Sequence, residues 1–478
     1  MNKQKLRKIH LSPAACAVDI GDGSERGEYV NQDYIITRLG RPHRAVMIMY
    51  CCYPNDTGWP ERSCNVFENT SGGCWDYPYD NYFPYHNSFL GGSSGEPFKS
   101  MKDIRKHGQD IILTLTIDPN VNDDVLRSIA NDLRPYGKIF LRINHEATGN
   151  WFSFSKRCTY KQIADFFVRF NCILKESAPN VSVILCPGGI DEHNPGKLEK
   201  EDEFLNAIEN TDIWSLDSYI SLSWGWPKII AEKNSYSYFR RDVNDVMTYF
   251  EESCKRFYEL NHDISKPFYI SEINADGDVT GPYEQAECIK EFYGLIKDKK
   301  PEWLNAIGIY QFRDRGRLGL EYENPSNSST GIETPLLNVY RNIIEDPYFN
   351  PVIEYDNDIS LPVKLRWTSS EDAQGIAINT EIKETPVFCE LFFDKDDNSN
   401  YMIEFNGIWF YKSPECRFID LMPSFFRNRF IKGKRYSIHF FAPPANGEND
   451  LSISDGLFNY YYEVSRVPEI RIRYSSLD

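Results

Sequence analysis

Two short segments of this chain place a glutamate directly after a run of strand-forming residues. The first is KIFLRINHEATGNWFSF, residues 138–154, with His145 and Glu146 following the apolar run that ends at Asn144. The second is KPFYISEINADG, residues 266–277, where Glu272 precedes a polar loop. A pair of carboxyl groups facing each other across a cleft suits one chemistry above others. One group stays protonated to assist a leaving oxygen, and the other stays ionised to attack carbon. Cleavage of a glycosidic bond with retention of configuration needs such a pair, set roughly 5–5.5 Å apart. Alone, each glutamate also has a bland reading, as a solvated or salt-bridged residue at a strand end, so the elements that position them decide the matter.

Those elements alternate along the chain. Apolar runs over 14–20, 45–51, 110–117, 138–144, 181–186, 213–217, 267–271 and 306–312 read as strands, and amphipathic stretches such as 161–175, 236–258 and 283–297 read as helices between them. Eight apolar runs, most of them followed by a helix, predict a closed (β/α)8 TIM barrel. In that fold the side chains at strand C-termini build the site. Glu146 follows the fourth strand and Glu272 the seventh, so the two point across the barrel mouth. Arg142 alternates inward on strand four, as an orienting group for Glu272 or as a plain barrel ion pair.

A barrel takes about 250 residues, and this chain has 478. The surplus falls in two places. Residues 53–106, rich in Gly, Ser, Asn, Tyr and Trp, read as a long insertion on the active-site face, its Tyr77, Tyr79, Tyr82, Phe83 and Tyr85 suiting sugar stacking or loop packing equally. From about Glu345 the composition turns to Pro, Asp and Asn, and the strands expected beyond it (386–393, 401–411, 435–441, 470–474) suggest a C-terminal all-β sandwich. The expected division is a barrel over 1–345, a linker over 346–362 and a β-sandwich over 363–478. The aromatic residues there, among them Trp409 and Phe410, suit either a glycan surface or a sandwich core.

Composition narrows the partners. A formal charge of -17 with no strong basic patch argues against nucleic acid, and the longest apolar run, 45–53, is too short to cross a bilayer. A neutral poly- or oligosaccharide fits. The start, MNKQKLRKIHLSPAACAVDIG, is not a complete secretory signal, so the expected location is the cytoplasm, or outside it as a processed form. The twelve cysteines read mainly as buried thiols. Cys51, Cys52, Cys64 and Cys74 are the one group open to a disulfide or zinc reading, without a tight Cys-x-x-Cys spacing. His145-Glu146 lacks the second histidine of a metal-binding motif. No metal or cofactor is expected.

The strand-four segment resembles that of glycoside hydrolase family 26, within clan A. Its Arg-x-x-His-Glu-x-x-Gly-x-Trp-Phe pattern is present as Arg142, His145, Glu146, Gly149, Trp151 and Phe152. TDIWSLDSY is similar to the family's strand-six pattern through Asp212, Asp217 and Tyr219, and the likeness spans about residues 14–345. The resemblance implies Glu146 as acid/base and Glu272 as nucleophile, with His145 beside the acid, Trp151 as a sugar platform and Tyr219 bonded to the nucleophile. It implies a retaining endo-acting β-glycan hydrolase, with β-mannan the commonest substrate and mixed-linked β-glucan or β-1,3-xylan the alternatives. Two departures bear on the sugar: Asp118 stands where many members have His, and Gln311 and Phe312 where they have Trp, Phe312 being the aromatic that would restore the floor. Trp224 and Trp226, after strand six, suit sugar stacking or a plug between loops. Two other readings stay open: a glycan-binding barrel without turnover, and an exo-acting or transglycosylating enzyme whose cleft the 53–106 insertion closes at one end.

Overall fold

The computed structural model describes residues 6–23, 29–60, 82–85, 95–223, 238–314, 317–366, 373–442 and 461–475. Eight parallel strands form the closed barrel. In order they are Ala17–Gly21, Ala45–Cys52, Asp110–Ile117, Ile139–Ile143, Val181–Leu185, Ile213–Asp217, Phe268–Ile273 and Leu304–Ile309. Closure comes from the first strand, which pairs with both the second and the eighth. The fold class predicted from the chain is therefore the one observed. Strand two is buried along its whole length, as expected where helices cover the outside and side chains fill the inside.

The helices are set by their caps and apolar stripes. Thr159 and Gln162 form a capping box at the start of helix Tyr160–Ser177, satisfying two amide donors that the first turn leaves open. Asn122 and Asp242 cap the helices Asp123–Leu133 and Val243–Leu260. Helix Phe98–Lys106 falls at the end of the segment read as an irregular insertion. Its Phe98, Met101 and Ile104 are buried at helical spacing, a stripe too short to stand out against the Gly- and Ser-rich sequence before it.

The barrel interior is polar at two levels. Low in the barrel, Arg44 bonds to Asp19 and donates to the Tyr269 hydroxyl at 2.7 Å, stacked over the Phe140 and Tyr269 rings. Higher up, level with the mouth, Arg142 of strand four lies beside Thr114 of strand three, and Asp217 of strand six lies beside Glu272 of strand seven. A register shift between Ile270 and Glu272 brings Glu272 level with Asp217.

The β-region departs from expectation in its parts. Leu6–Ser12, within the stretch expected as barrel, is a strand in a six-stranded sheet between Val352–Ile359 and Gly375–Thr380. Val352–Ile359 itself falls in the stretch expected as linker. Leu6 and Ile9 of the former strand are buried in the apolar clusters of the β-region, and Arg7 lies 3.9 Å from Asp358 across the ladder, a match between distant segments that no local pattern reveals. The stretch 401–411 is a hairpin, Tyr401–Phe405 with Ile408–Lys412, turning at Asn406 (φ 49°) and Gly407 (φ 84°). Asn-Gly is the pair that tolerates two left-handed residues in a two-residue turn. A three-stranded sheet, Phe418–Asp420, Pro386–Phe392 and Glu469–Tyr474, completes the apolar core with Leu391, Ile403 and Ile438.

Trp409 and Tyr411 face the barrel. The Trp409 amide donates to the Gly40 carbonyl at 2.9 Å, at the end of helix Gln32–Leu39, and Tyr411 packs on His107 with ring centroids 4.2 Å apart. Ile36 joins Ile9, Met402 and Phe441 in the apolar contact between them. No helix among the described residues is long and apolar enough to cross a membrane.

Candidate active site

The strand-four motif has a local logic. Asn144 takes a left-handed conformation (φ 46°), and its side-chain amide pairs with both backbone groups of Ile117, tying the end of strand four to strand three. Glu146 is left-handed as well (φ 50°). For a residue with a Cβ this costs about 1–2 kcal/mol, a strain that occurs where a side chain must be aimed. The amide of Ala147 donates to the Cys186 carbonyl, and that of Gly149 to the Glu146 carbonyl at 2.8 Å, closing the turn. A Cβ at Gly149 would lie 2.5 Å from the Trp151 ring. Glycine there lets Trp151 fold back, and its Nε1–H donates to Glu146 Oε2 at 2.9 Å.

Arg142 is the hub beneath. Its side chain is fully buried. Nε donates to Thr114 Oγ1 at 2.8 Å, Nη1 to both oxygens of Asp217 at 2.8 Å, and Nη2 to Glu272 Oε1 at 2.5 Å. The Tyr219 hydroxyl donates to the other Glu272 oxygen, Oε2, at 2.6 Å. Glu272 thus accepts one bond from a guanidinium and one from a phenol, a donor set suited to a carboxylate. Buried guanidinium and carboxylates stabilise one another only as a satisfied set, and Arg142 meets that condition with three partners.

The electrostatics of the neighbouring groups diverge. Burial pushes Glu146 well above the usual carboxylate range, and repulsion from Asp217 and Glu272 adds to it, against the Trp151 bond and Arg142. Burial likewise raises Asp217, to about 7, with Glu272 adding to the rise and Arg142 opposing it. His145 is buried and held well below the ordinary histidine value, first by burial and then by Arg142. It is therefore neutral; its Nε2 lies 3.3 Å from the Tyr82 hydroxyl, Nδ1 has no hydrogen-bond partner among the described residues, and its ring packs on Phe152 at 4.6 Å.

His145, Asp217 and Glu272 are the one set of potential metal ligands gathered among the described residues, their ligand atoms within 4.8 Å of one another. Both carboxylates already face the Arg142 guanidinium, which supplies the positive charge a cation would bring. The donor set therefore does not fit a metal.

Arg142, His145, Glu146, Trp151, Asp217, Tyr219 and Glu272 are thus brought into one cluster, and the remaining candidates are not. Phe312 is fully buried and packs edge-on against Tyr34, so it forms no floor to the cleft. Strand eight ends at Ile309, three residues short of the expected limit. The side chain that reaches Tyr219 is instead Tyr310, its ring perpendicular at 6.0 Å. Gln311 follows a cis peptide bond, and its side chain is buried with Nε2 unpaired among the described residues. Asp118 is at the end of strand three, but its oxygens are taken by Asn120 and by Arg157, which also grips Asp56. That ties the loops after strands two, three and four together, a structural clamp rather than a sugar contact. Trp224, Trp226, Tyr77, Tyr79, Cys64 and Cys74 lie outside the described residues. Asp212, part of the strand-six pattern, is bound to Lys175 and the Val183 amide away from the cluster. Ten described cysteines are free thiols, including Cys51 and Cys52; Cys172 is exposed, not buried.

Thr114 and Tyr310 were not singled out from the chain. Thr114 was legible in principle, as a polar residue inside the apolar run 110–117. Tyr310 was not, because its role depends on where strand eight stops.

No family model matches this chain, and no curated protein does. Among solved structures it is similar to a GH26 β-mannanase from Bacteroides ovatus, at 11% identity over 70% of this chain and 90% of that one, with a TM-score of 0.43. It is similar also to a modular endo-β-1,4-mannanase from Cellulomonas fimi (11% identity, 96% and 93% covered, TM-score 0.43). A third is a monomeric β-xylosidase from Caulobacter crescentus (12% identity, 91% and 98% covered, TM-score 0.45). Likeness this distant assigns no chemistry, and the barrel rests on the chain's own strand order.

Proposed function

We propose that this protein is a retaining β-glycoside hydrolase in which Glu146 is the acid/base and Glu272 the nucleophile. The observation that carries the reading is the unequal treatment of the two carboxyl groups at one barrel mouth. Burial and neighbouring carboxylates push Glu146 well above the usual carboxylate range, which favours its protonated form, while Arg142 and Tyr219 donate to both oxygens of Glu272. Glu146 delivers its proton to the glycosidic oxygen as Glu272 attacks the anomeric carbon, forming a glycosyl-enzyme. Glu146, now ionised, takes a proton from water as that water displaces Glu272. The bond from Trp151 steadies Glu146 in its ionised half of the cycle.

The substrate class follows the strand-four resemblance: an endo-acted β-glycan, with β-mannan ahead of mixed-linked β-glucan and β-1,3-xylan. The test is a screen of defined oligosaccharides from these three polymers, with the anomer formed first read by proton NMR. Retention is expected, and Glu272→Ala is expected to abolish turnover while keeping the parent's far-UV circular dichroism spectrum. An inverted first product, or near-normal hydrolysis by Glu272→Ala, would overturn the assignment.

A further inference from the structure

The strand-six end that carries Tyr219 is held by a residue outside the cluster. Strand Ser221–Ser223 pairs antiparallel with Tyr238–Arg240, and this ladder returns the chain so that the Arg241 amide donates to the Ile220 carbonyl at 2.8 Å. The Arg241 side chain then turns under the same bend. Its Nη2 donates to the Tyr219 carbonyl at 2.5 Å and also to the Ser218 hydroxyl. The guanidinium is flanked by two rings, Phe239 at 5.4 Å and Tyr249 at 5.6 Å. Tyr249 is itself fixed, its hydroxyl accepting from the Gly189 amide in the loop after strand five.

The hydrogen-bond partners of this arginine are uncharged. Among the described residues Arg241 makes no salt bridge, and its buried Nε has no hydrogen-bond partner. Taking a guanidinium out of water is costly unless a carboxylate or a full set of acceptors compensates. Here the cation meets a neutral carbonyl and a hydroxyl, the two groups that define the Ser218–Tyr219 bend. Such charge-assisted bonds are stronger than neutral ones, and they fall on the backbone whose orientation sets the reach of the Tyr219 phenol to Glu272. We infer that Arg241 is a positioning residue for the nucleophile, acting through Tyr219. The inference rests on the assignment of Glu272 above.

The experiment compares Arg241→Met, Arg241→Lys, Tyr219→Phe and the Arg241→Met/Tyr219→Phe double variant in the full chain. The probe is a 2,4-dinitrophenyl β-mannobioside or, if the parent prefers it, the gluco counterpart; its good leaving group makes the first step depend on the nucleophile more than on the acid. Arg241→Met is expected to lower kcat about tenfold or more, the cost of one lost bond to a charged group, with little change in KM. The acidic limb of its pH–rate profile is expected to move to higher pH, as in Tyr219→Phe. Arg241→Lys is expected to recover part of the loss, and the double variant to be no slower than the slower single one. Multiplying losses in the double variant, or an unmoved acidic limb, would overturn the inference while leaving the hydrolase assignment standing. A parent inactive on every β-glycoside would instead overturn the assignment. The crystal structure of Arg241→Met, or of Arg241→Lys if the former does not fold, tests the positioning without turnover. A Tyr219–Glu272 bond kept at its present length would refute it, and a bond lengthened beyond hydrogen-bonding distance would support it.

Discussion

Replacing Arg142 by methionine would remove the one positive charge among the described residues that pairs with Asp217 and Glu272. Both carboxylates accept from this side chain, which is fully buried together with Asp217. Methionine fills most of the volume and supplies no donor, so the loss is electrostatic more than steric. Removing one partner of a buried ion pair costs about 3–5 kcal/mol, because the other charge stays out of water. That is a large share of the roughly 5–15 kcal/mol by which folded proteins are stable. The loss also has a defined pH dependence. Asp217 is raised to about 7 in the folded chain against 3.8 as its ordinary value. The folded state therefore binds that proton more tightly than the unfolded state, and stability falls as pH climbs from about 4 towards 7. Arg142 opposes this rise, so its removal pushes Asp217 higher and carries the loss into the alkaline range. The destabilisation is thus greater at pH 8 than at pH 5, where Asp217 is neutral in the fold with or without Arg142. Urea denaturation of parent and variant at both pH values, followed by far-UV circular dichroism, measures it. A loss below about 1 kcal/mol at pH 8, well under the range for a broken buried pair, would refute the reasoning. So would a loss that is equal at the two pH values.

Trp151→Phe keeps an aromatic ring over Gly149 and deletes the donor to Glu146. Since that bond favours the ionised carboxylate, the basic limb of the kcat/KM profile is expected to move to higher pH; an unmoved limb would mean that the indole acts only as a surface. Phe312→Ala is expected to cost about 3–5 kcal/mol of stability by urea titration, because the ring is fully buried against Tyr34. The same change should leave KM for oligosaccharide near the parent value, and a large KM effect would return Phe312 to the cleft.

The C-terminal β-region acquires a structural task from these contacts. Trp409, ambiguous in sequence between a glycan surface and a sandwich core, lies with Tyr411 on the hairpin that meets helix Gln32–Leu39 and His107. Gly40 ends that helix with φ 89°, and a Cβ there would collide with the Arg427 guanidinium, which caps the helix through the Leu39 carbonyl. The barrel and the β-region therefore share an interface built from backbone bonds as well as apolar area.

Much of the site was legible because its logic is local. His145, Glu146, Gly149 and Trp151 fall within seven residues, and the strand-then-polar-loop pattern placed both glutamates at strand ends. The barrel was legible because its strands are continuous apolar runs separated by helices with their own caps. Local pattern fails where a role depends on distant partners. Asp118 looked like a sugar contact until Arg157, 39 residues on, took its carboxylate. Leu6–Ser12 was expected to belong with the barrel, and it pairs instead with the distant strand at 352–359.

The two glutamates, the arginine beneath them and the eight-strand barrel are properties of the amino-acid order itself, since spacing along a strand fixes which side chains face inward. Tertiary structure alone decided what surrounds them. The register shift that levels Glu272 with Asp217, the end of strand eight that offers Tyr310 and not Phe312, and the return of Arg241 to the Tyr219 bend all follow from pairing between strands far apart in the chain. That pairing is a sum over the whole packed barrel, and no short window of sequence contains it.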